Sequence, residues 1–274
     1  MVVYTQEVDL ERGRKEMEIK RIGQQERGQS IILYGPPNAG KTWQCGTLPH
    51  DETLILDVDG GIVTLSGTNM SVFTIDEDLS QLHSIYEYIR TQKHPFKYVV
   101  IDNFSELERF MLSAIGKQRN VDYWAQLDWG RTAQKLREYM RLFRDLTDMG
   151  INVIFISWDM QVETEEGPRV CPMLMKSVTE EFSGLMDNVW YLKPDPNLQS
   201  KDRYLITESA SNIIAKTRVP VGQTNPLAKV TKNPNLFECI TKLMPYYSKA
   251  KETKNDKAKG RGGDGVSITA GGGI

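Results

Sequence analysis

Residues 32–46 read ILYGPPNAGKTWQCG, and this stretch decides the fold. An apolar run ends at Gly35, and the segment from Gly35 to Thr42 fits the pattern G-x-x-x-x-G-K-[ST] between a predicted strand and a predicted helix. Such a loop, called the P-loop below, binds phosphate through backbone N–H groups around Asn38 to Thr42. The Lys41 ammonium would neutralise the β- and γ-phosphate oxygens, and the Thr42 hydroxyl would bind magnesium. The alternative interpretation is a chance glycine-rich turn before a helix.

The predicted metal site has a second member. KYVVIDN places Asp102 at the end of another apolar strand, where its carboxylate would hold the same magnesium ion as Thr42. The alternative is an ordinary turn-forming aspartate at the end of a strand. The whole set of predicted nucleotide-binding residues is Gly35, Pro36, Pro37, Asn38, Ala39, Gly40, Lys41, Thr42 and Trp43.

Two more acids follow the strand in TLILDVDGG, which we expect beside the P-loop strand. Hydrolysis of a bound nucleotide needs a group that orients or deprotonates water, and the carboxyl end of a parallel strand is where ligands bind in open α/β sheets. Asp59 is the predicted catalytic residue, with Asp57 in reserve. A solvated Asp-Gly turn is the alternative.

Composition excludes several classes of function. The 274 residues carry a formal net charge of −2, so any contact with nucleic acid must come from local basic patches. The cysteines, Cys45, Cys171 and Cys239, lack the spacing of a zinc site or a disulfide framework, and the three histidines are scattered. No apolar run approaches the roughly 20 residues that span a bilayer. We expect a cytoplasmic protein without a membrane partner.

The chain divides into three predicted parts. Residues 1–29 form a charged N-terminal arm, and residues 248–274, rich in lysine and glycine, form a disordered tail. Between them, residues 30–247 alternate apolar strands with helices, which predicts an α/β domain with a mainly parallel sheet covered on both faces. Three late strands without intervening helices predict antiparallel pairing at the C-terminal end. A helix over 131–149 is predicted to bury an apolar stripe, Leu136, Met140, Phe143 and Leu146.

The segments GPPNAGKT, LDVDGG, YVVIDN, VIFISWDMQ and IIAKTRVP occur in the order typical of RecA-like P-loop ATPases. Over about residues 28–220 the chain resembles the phage-encoded branch of that superfamily, with single-strand annealing or recombinase-like proteins. The resemblance implies ATP and Mg²⁺ as cofactors, and the host cytoplasm as location. It implies a glutamate where this chain has the shorter Asp59.

The resemblance also implies two further features. Lys216 and Arg218 match a Lys-x-Arg pair that reaches the γ-phosphate bound by the neighbouring subunit, so both are predicted catalytic residues of a homo-oligomer, a ring or a filament. Two surface cations on an edge strand are the alternative. The strand NVIFISW resembles a sensor strand whose terminal polar residue would be Ser157 or Gln161.

Two segments are predicted to contact single-stranded DNA. The first is a loop in which cations alternate with aromatic residues suited to stacking on bases, although burial of these rings is an equal alternative. The second follows the sensor strand and is more acidic, with a surface hairpin as the alternative. The predicted contacts are Lys117, Arg119, Tyr123, Trp124, Trp129 and Arg131 in the first and Arg169 and Lys176 in the second.

Together these features predict a DNA-stimulated ATPase that assembles on single-stranded DNA and supports annealing or recombination. A single-strand-binding protein or other replication and recombination proteins are the expected partners. One alternative is a nucleotide-gated DNA-binding scaffold with negligible hydrolysis. Another alternative is a P-loop kinase for a small molecule. Such a kinase would need an arginine-rich lid over its second substrate, and the segment after ISWDMQ is too acidic for that role.

Overall fold

The computed structural model describes residues 26–76, 80–119, 124–197, 199–210 and 212–248. Residues Glu26–Ser248 make up one compact unit. Except for residues 26–29 and Ser248, the predicted arm and the predicted tail lie outside the described residues. No helix within the described ranges is long and apolar enough to cross a membrane.

The described residues form the following elements. The strands are β1 (Ser30–Tyr34), β2 (Thr53–Asp57), β3 (Ser71–Thr74), β4 (Tyr98–Asp102), β5 (Asn152–Ser157), β6 (Asp159–Thr164), β7 (Gly167–Pro172), β8 (Asn188–Pro194), β9 (Arg203–Ile206), β10 (Lys216–Thr217) and β11 (Val230–Lys232). The α-helices are α1 (Lys41–Cys45), α2 (Ser80–Thr91), α3 (Phe104–Arg119), α4 (Gln126–Asp145), α5 (Lys176–Leu185) and α6 (Leu236–Leu243).

One large sheet organises the fold. Its strand order is β11-β9-β8-β1-β5-β4-β2-β3, with β10 beside β8. Strands β8, β1, β5, β4, β2 and β3 are mutually parallel, and the antiparallel pairs are β8 with β9, β9 with β11 and β8 with β10. The predicted α/β class, with a mainly parallel sheet and antiparallel strands at its C-terminal end, is confirmed.

Both faces of the sheet are covered, as a run of fully apolar parallel strands requires. Every residue of β1, β2, β4 and β5 is buried. Helices α2, α3, α4 and α5 pack on one face, and the predicted stripe of Leu136, Met140, Phe143 and Leu146 is buried there. Helices α1 and α6 cover the other face. Each fully buried large side chain contributes about 1.5–3 kcal/mol to the free energy of folding.

The order of the strands in the sheet differs from the prediction at one place. We expected β2 beside the P-loop strand β1, and this is wrong because β5 and β4 lie between them. The connection from β1 through α1 crosses over two places in the sheet before β2 begins. Strand periodicity does not encode such crossovers, since it shows which residues are buried but not which strand is the neighbour.

Three element boundaries also differ. Helix α4 begins at Gln126, not at 131, because the Asp128 carboxylate accepts a hydrogen bond from the backbone N–H of Ala125 at 2.8 Å and caps its first turn. Helix α5 falls in the segment predicted as loop or hairpin, where only residues 159–172 form a hairpin. The predicted strand IIAKTRVP is ordered as a strand only at Lys216–Thr217.

Candidate nucleotide-binding site

The P-loop joins the end of β1 to the start of α1, as the motif predicts. Its path requires glycine at two positions because other parts of the chain come very close. A Cβ on Gly35 would lie 2.0 Å from the carbonyl oxygen of Leu192, and one on Gly40 would lie 2.5 Å from Nε of Arg203. Gly40 also has a φ of +88°, which strains any L side chain.

The loop offers several donors to an anion. The backbone N–H groups of Gly40, Lys41 and Thr42 make no hydrogen bond to another described residue. Phosphate oxygens are the usual acceptors for successive N–H groups of this kind. The loop therefore fits a phosphate group, and the fit rests on backbone atoms of residues 40–42.

Lys41 is 7% exposed and lies over the loop. Its Nζ donates to the carbonyl oxygens of Gly35 at 2.8 Å and of Pro36 at 3.0 Å. Burial lowers the pKa of Lys41, and the nearby carboxylates of Asp102, Asp159 and Asp59 oppose that shift. Among the described residues the buried Lys41 ammonium donates only to neutral carbonyl groups, so it is well placed to form an ion pair with phosphate oxygens.

Thr42 and Asp102 meet across the sheet. The Thr42 hydroxyl Oγ1 donates to Asp102 Oδ2 at 2.6 Å, although β5 lies between the P-loop strand and β4. Burial raises the pKa of Asp102 to about 6, while the Thr42 hydrogen bond lowers it and the charge of Asp59 adds to the increase. A hydroxyl and a carboxylate that converge beside a phosphate loop fit Mg²⁺, which takes one or two carboxylates plus phosphate oxygens and water.

The two acids after β2 differ in environment. Asp57 pairs in register with Asp102, is buried, and accepts a hydrogen bond from the backbone N–H of Gly60 at 3.0 Å. Burial raises the pKa of Asp57. Asp59 is exposed, and its Oδ1 accepts from the Gly61 N–H at 2.9 Å. The structure thus brings both predicted acids to the edge of the sheet that holds Asp102.

Asn103 links Asp59 to the end of β4, and sequence analysis missed it. Its Nδ2 donates to Asp59 Oδ2 at 2.7 Å, and its Oδ1 accepts from the Glu106 N–H at 2.7 Å, which caps α3. The residue could have been found, because it directly follows Asp102 and precedes a helix.

The sensor candidates occupy different surroundings. The Ser157 hydroxyl is fully buried, lies 2.9 Å from the Ser105 hydroxyl and donates to the Trp158 carbonyl at 2.9 Å. Gln161 is exposed on β6. Trp158, which lies between the two candidates in sequence, stacks against Arg109, with the guanidinium carbon Cζ 4.9 Å from the centroid of the Trp158 ring.

Lys216 and Arg218 lie far from the P-loop of their own chain. Lys216 pairs with Val189 at the start of β8, whereas the P-loop follows the opposite end of the parallel strand β1. The Lys216 ammonium donates to the Gly184 carbonyl at 2.9 Å. Arg218 Nη1 lies 3.0 Å from Oδ1 of Asp187, whose side chain is fully buried. The structure does not bring these two cations to the other predicted catalytic residues.

Most of the first predicted DNA segment is described. Tyr123 and the side chain of Arg119 lie outside the described residues, and Lys117 is exposed on α3. Trp124 and Trp129 are 51% and 42% exposed, and their rings meet edge to face with centroids 6.1 Å apart. Trp129 and Arg131 lie on the first turns of α4, and Arg131 is exposed. Both rings thus present large apolar surface to solvent.

The second predicted DNA segment is the hairpin of β6 and β7 with the start of α5. Arg169, on β7, forms an ion pair with Glu166 at the hairpin turn. Lys176 is the exposed first residue of α5. Because Arg169 is already paired with a carboxylate, Lys176 is the better placed of these two predicted contacts to meet an external phosphate.

Arg203 also contacts the P-loop. Its Nε donates to the Ala39 carbonyl at 2.8 Å. Sequence analysis missed it because 164 residues separate the two partners and no local pattern marks the arginine.

A mainly parallel sheet with a P-loop at the end of one strand and a carboxylate on the next strand but one is the arrangement of a P-loop nucleotide-binding fold. A family model described as an AAA domain matches residues 27–219, and the chain belongs to that family. Among solved structures, the chain is similar to one titled crystal structure of the RadB recombinase, with 16% identity and a TM-score of 0.43. That match covers 66% of this chain and 80% of the other. No curated protein matches the chain.

Proposed function

We propose that this protein binds and hydrolyses Mg-ATP and assembles on single-stranded DNA to support annealing or recombination. The observation that carries the nucleotide part is the 2.6 Å contact between Thr42 Oγ1 and Asp102 Oδ2, next to the P-loop. It joins the hydroxyl and the carboxylate that a magnesium ion shares in P-loop nucleotide sites.

Each residue has a chemical role in this proposal. The N–H groups of residues 40–42 and the Lys41 ammonium bind phosphate oxygens, and Thr42 and Asp102 hold Mg²⁺. When bound, Mg²⁺ offsets the charge between the β- and γ-phosphates. Asp59 orients a water molecule whose oxygen attacks the γ-phosphorus as the bond to the β–γ bridging oxygen breaks. The carboxylate of Asp59 takes the proton that the water loses.

The proposed assembly is a homo-oligomer with ATP between subunits. Lys216, on β10, and Arg218, which follows it, lie beside the start of β8 and away from the P-loop of their own chain, which supports action on the nucleotide of a neighbouring subunit. Two cations there would stabilise the charge that develops on the γ-phosphate. The Arg218 guanidinium would then either leave the Asp187 carboxylate to bind the phosphate, or contact the carboxylate and the phosphate at the same time.

The proposed DNA surface consists of Trp124, Trp129, Arg131 and Lys117. Half-exposed indole rings stack on bases of any sequence, and cations nearby follow the phosphates. Lys176, at the start of α5, is a further candidate contact on the segment that follows the sensor strand. These residues support binding to single-stranded nucleic acid without sequence preference.

A specific observation favours the nucleotide-gated scaffold as the second candidate. Both carboxylate oxygens of Asp59 accept hydrogen bonds, from Gly61 N–H at 2.9 Å and from Asn103 Nδ2 at 2.7 Å. These two contacts occupy acceptor positions that an attacking water molecule would need on the carboxylate. In that case ATP would drive assembly while turnover stays very slow.

Steady-state ATP hydrolysis with Mg²⁺, with and without single-stranded DNA, tests the proposal. Lys41→Ala provides the blank, because it removes the cation that contacts the phosphates. DNA-stimulated turnover that is absent in this variant supports the proposed ATPase. ATP binding with turnover at the level of the blank supports the scaffold, and no nucleotide binding by the wild-type chain contradicts both.

A further inference from the structure

Arg203, the first residue of β9, lies against the peptide that joins Ala39 to Gly40 in the P-loop. Its Nε donates to the Ala39 carbonyl at 2.8 Å. The approach is so close that a Cβ on Gly40 would lie 2.5 Å from Nε and 3.2 Å from Cζ. Glycine at position 40 therefore gives the arginine room to lie against the loop.

The backbone of Arg203 is fixed at both of its polar groups. Its N–H donates to Asn233 Oδ1 at 3.0 Å, and its carbonyl accepts from the Asn233 N–H at 2.7 Å. Asn233 Nδ2 in turn donates to Asp202 at 2.7 Å, and Asp202 pairs with Lys232 on β11. The guanidinium is held further by the Lys201 carbonyl, which accepts from Nη1 at 3.1 Å. The edge of the sheet thus presents the arginine in one position.

A trans peptide is planar, with its C=O and N–H on opposite sides. The peptide between residues 39 and 40 is trans, so an arginine that holds the Ala39 oxygen on one side directs the Gly40 N–H to the other. That N–H makes no hydrogen bond to any described residue. If the peptide turned over, the carbonyl oxygen would face the phosphate and repel it.

We infer that Arg203 is a positioning residue for the P-loop: it fixes the Ala39–Gly40 peptide so that the Gly40 N–H is presented to the nucleotide phosphates. The inference rests on the proposed nucleotide binding and deepens it. The N–H contact is made equally to bound ATP and to the transition state, so its loss weakens affinity and leaves the chemical step almost unchanged.

Two variants remove the donor and test this. Arg203→Leu replaces the side chain by a shorter hydrocarbon, and Arg203→Met keeps an unbranched stem that packs beside the loop. For both we expect the Kd and KM for Mg-ATP to rise about tenfold with kcat within twofold of wild type. Arg203→Lys, whose ammonium can donate one hydrogen bond to the Ala39 carbonyl, should recover part of the affinity.

Lys201→Gln is the matched control, because it removes an exposed cation two residues away whose hydrogen bond with Arg203 is made by its backbone carbonyl. Its affinity should equal that of wild type. Binding of a fluorescent ATP analogue gives the Kd, and thermal unfolding without nucleotide checks that each variant is folded.

Wild-type affinity in a folded Arg203→Leu or Arg203→Met variant would overturn the inference while the proposed function stands. An equal loss in Lys201→Gln would also overturn it, since the effect would then be one of general charge. A wild-type chain that binds no Mg-ATP would overturn the proposed function itself, so the two failures are distinguishable.

Discussion

Asn103 Nδ2 donates a hydrogen bond to Asp59 Oδ2 at 2.7 Å, across 44 residues of sequence. The contact joins the proposed water-orienting acid to the residue that directly follows the proposed metal ligand. Any shift of β4 at the proposed metal site would therefore move Asp59 with it. This coupling gives the first prediction.

Asn103→Ser should lower kcat about tenfold and leave the KM for ATP nearly unchanged. Serine can still accept from the Glu106 N–H and cap α3, but its hydroxyl is too short to hold Asp59. Asp59→Asn should lower kcat by about 10² or more, because it removes the base itself. Steady-state kinetics of the two variants measure this, and an unchanged kcat in both would exclude Asp59 from the chemical step.

Asp102→Asn should make the protein more stable and less active. Burial raises the pKa of Asp102 to about 6, above the value of about 3.9 in an unfolded chain. Ionisation of this carboxyl therefore costs folding free energy as pH rises from about 4 to 6, and the full cost, up to about 3 kcal/mol, is present above pH 6. The neutral amide avoids that cost but cannot replace the charged metal ligand.

Chemical denaturation at pH 7 and pH 5 measures the effect. The stability difference between Asp102→Asn and wild type should shrink at pH 5, and Mg²⁺-dependent ATP binding by wild type should weaken as pH falls through about 6. A variant that is less stable than wild type at both pH values would contradict the environment described for Asp102.

Arg218→Ala should lower stability by about 1 kcal/mol, because Asp187 is buried and, among the described residues, its side chain keeps the weaker contact with Arg27, at 3.3 Å, and the hydrogen bonds from Ser30. If Arg218 also acts on a neighbouring nucleotide, the variant should bind ATP normally but hydrolyse it slowly. Lys216→Ala should show the same kinetic defect with a smaller loss of stability.

Mixing two inactive variants separates the catalytic role from the structural one. In an equimolar mixture of Lys41→Ala and Arg218→Ala, some interfaces combine an intact P-loop with an intact Arg218, so hydrolysis should reappear. The measurement is turnover of the mixture against each variant alone. Turnover equal to that of the separate variants would show that Arg218 does not act between subunits.

Trp124→Ala and Trp129→Ala should each weaken binding to single-stranded DNA by about 1–3 kcal/mol. Arg131→Ala should weaken it less and reduce the slope of log affinity against log salt by about 1. Tyr88→Ala on α2 is the matched control, since Tyr88 is a similarly exposed aromatic outside this surface. Fluorescence anisotropy of a labelled oligonucleotide measures all four, and equal affinity throughout would exclude this surface.

Sequence predicted the parts of the site that local pattern encodes. The P-loop lies between strand and helix as expected, and Asp102 ends an apolar strand and reaches Thr42. The missed parts depend on partners far apart in the chain. Nothing near Arg203 indicates that it contacts Ala39, and nothing near Asp187 indicates that it pairs with Arg218. The start of α4 was misplaced because one capping carboxylate, Asp128, sets it, with no change in hydrophobic periodicity.

The position of β1 has a consequence for how the protein is made. Strand β1 is translated before both of its neighbours, β5 and β8, which pair with it through residues 153–157 and 188–191. At typical elongation rates Arg203 follows Tyr34 by roughly 10–30 s. Until β5 is made the apolar strand SIILY lacks its first neighbour, and until β8 and Arg203 are made the P-loop lacks Leu192 and Arg203 beside it. A nascent chain can therefore reach the nucleotide affinity of the folded protein only after β9 has been translated, and before β5 and β8 are made it exposes an apolar segment that chaperones recognise.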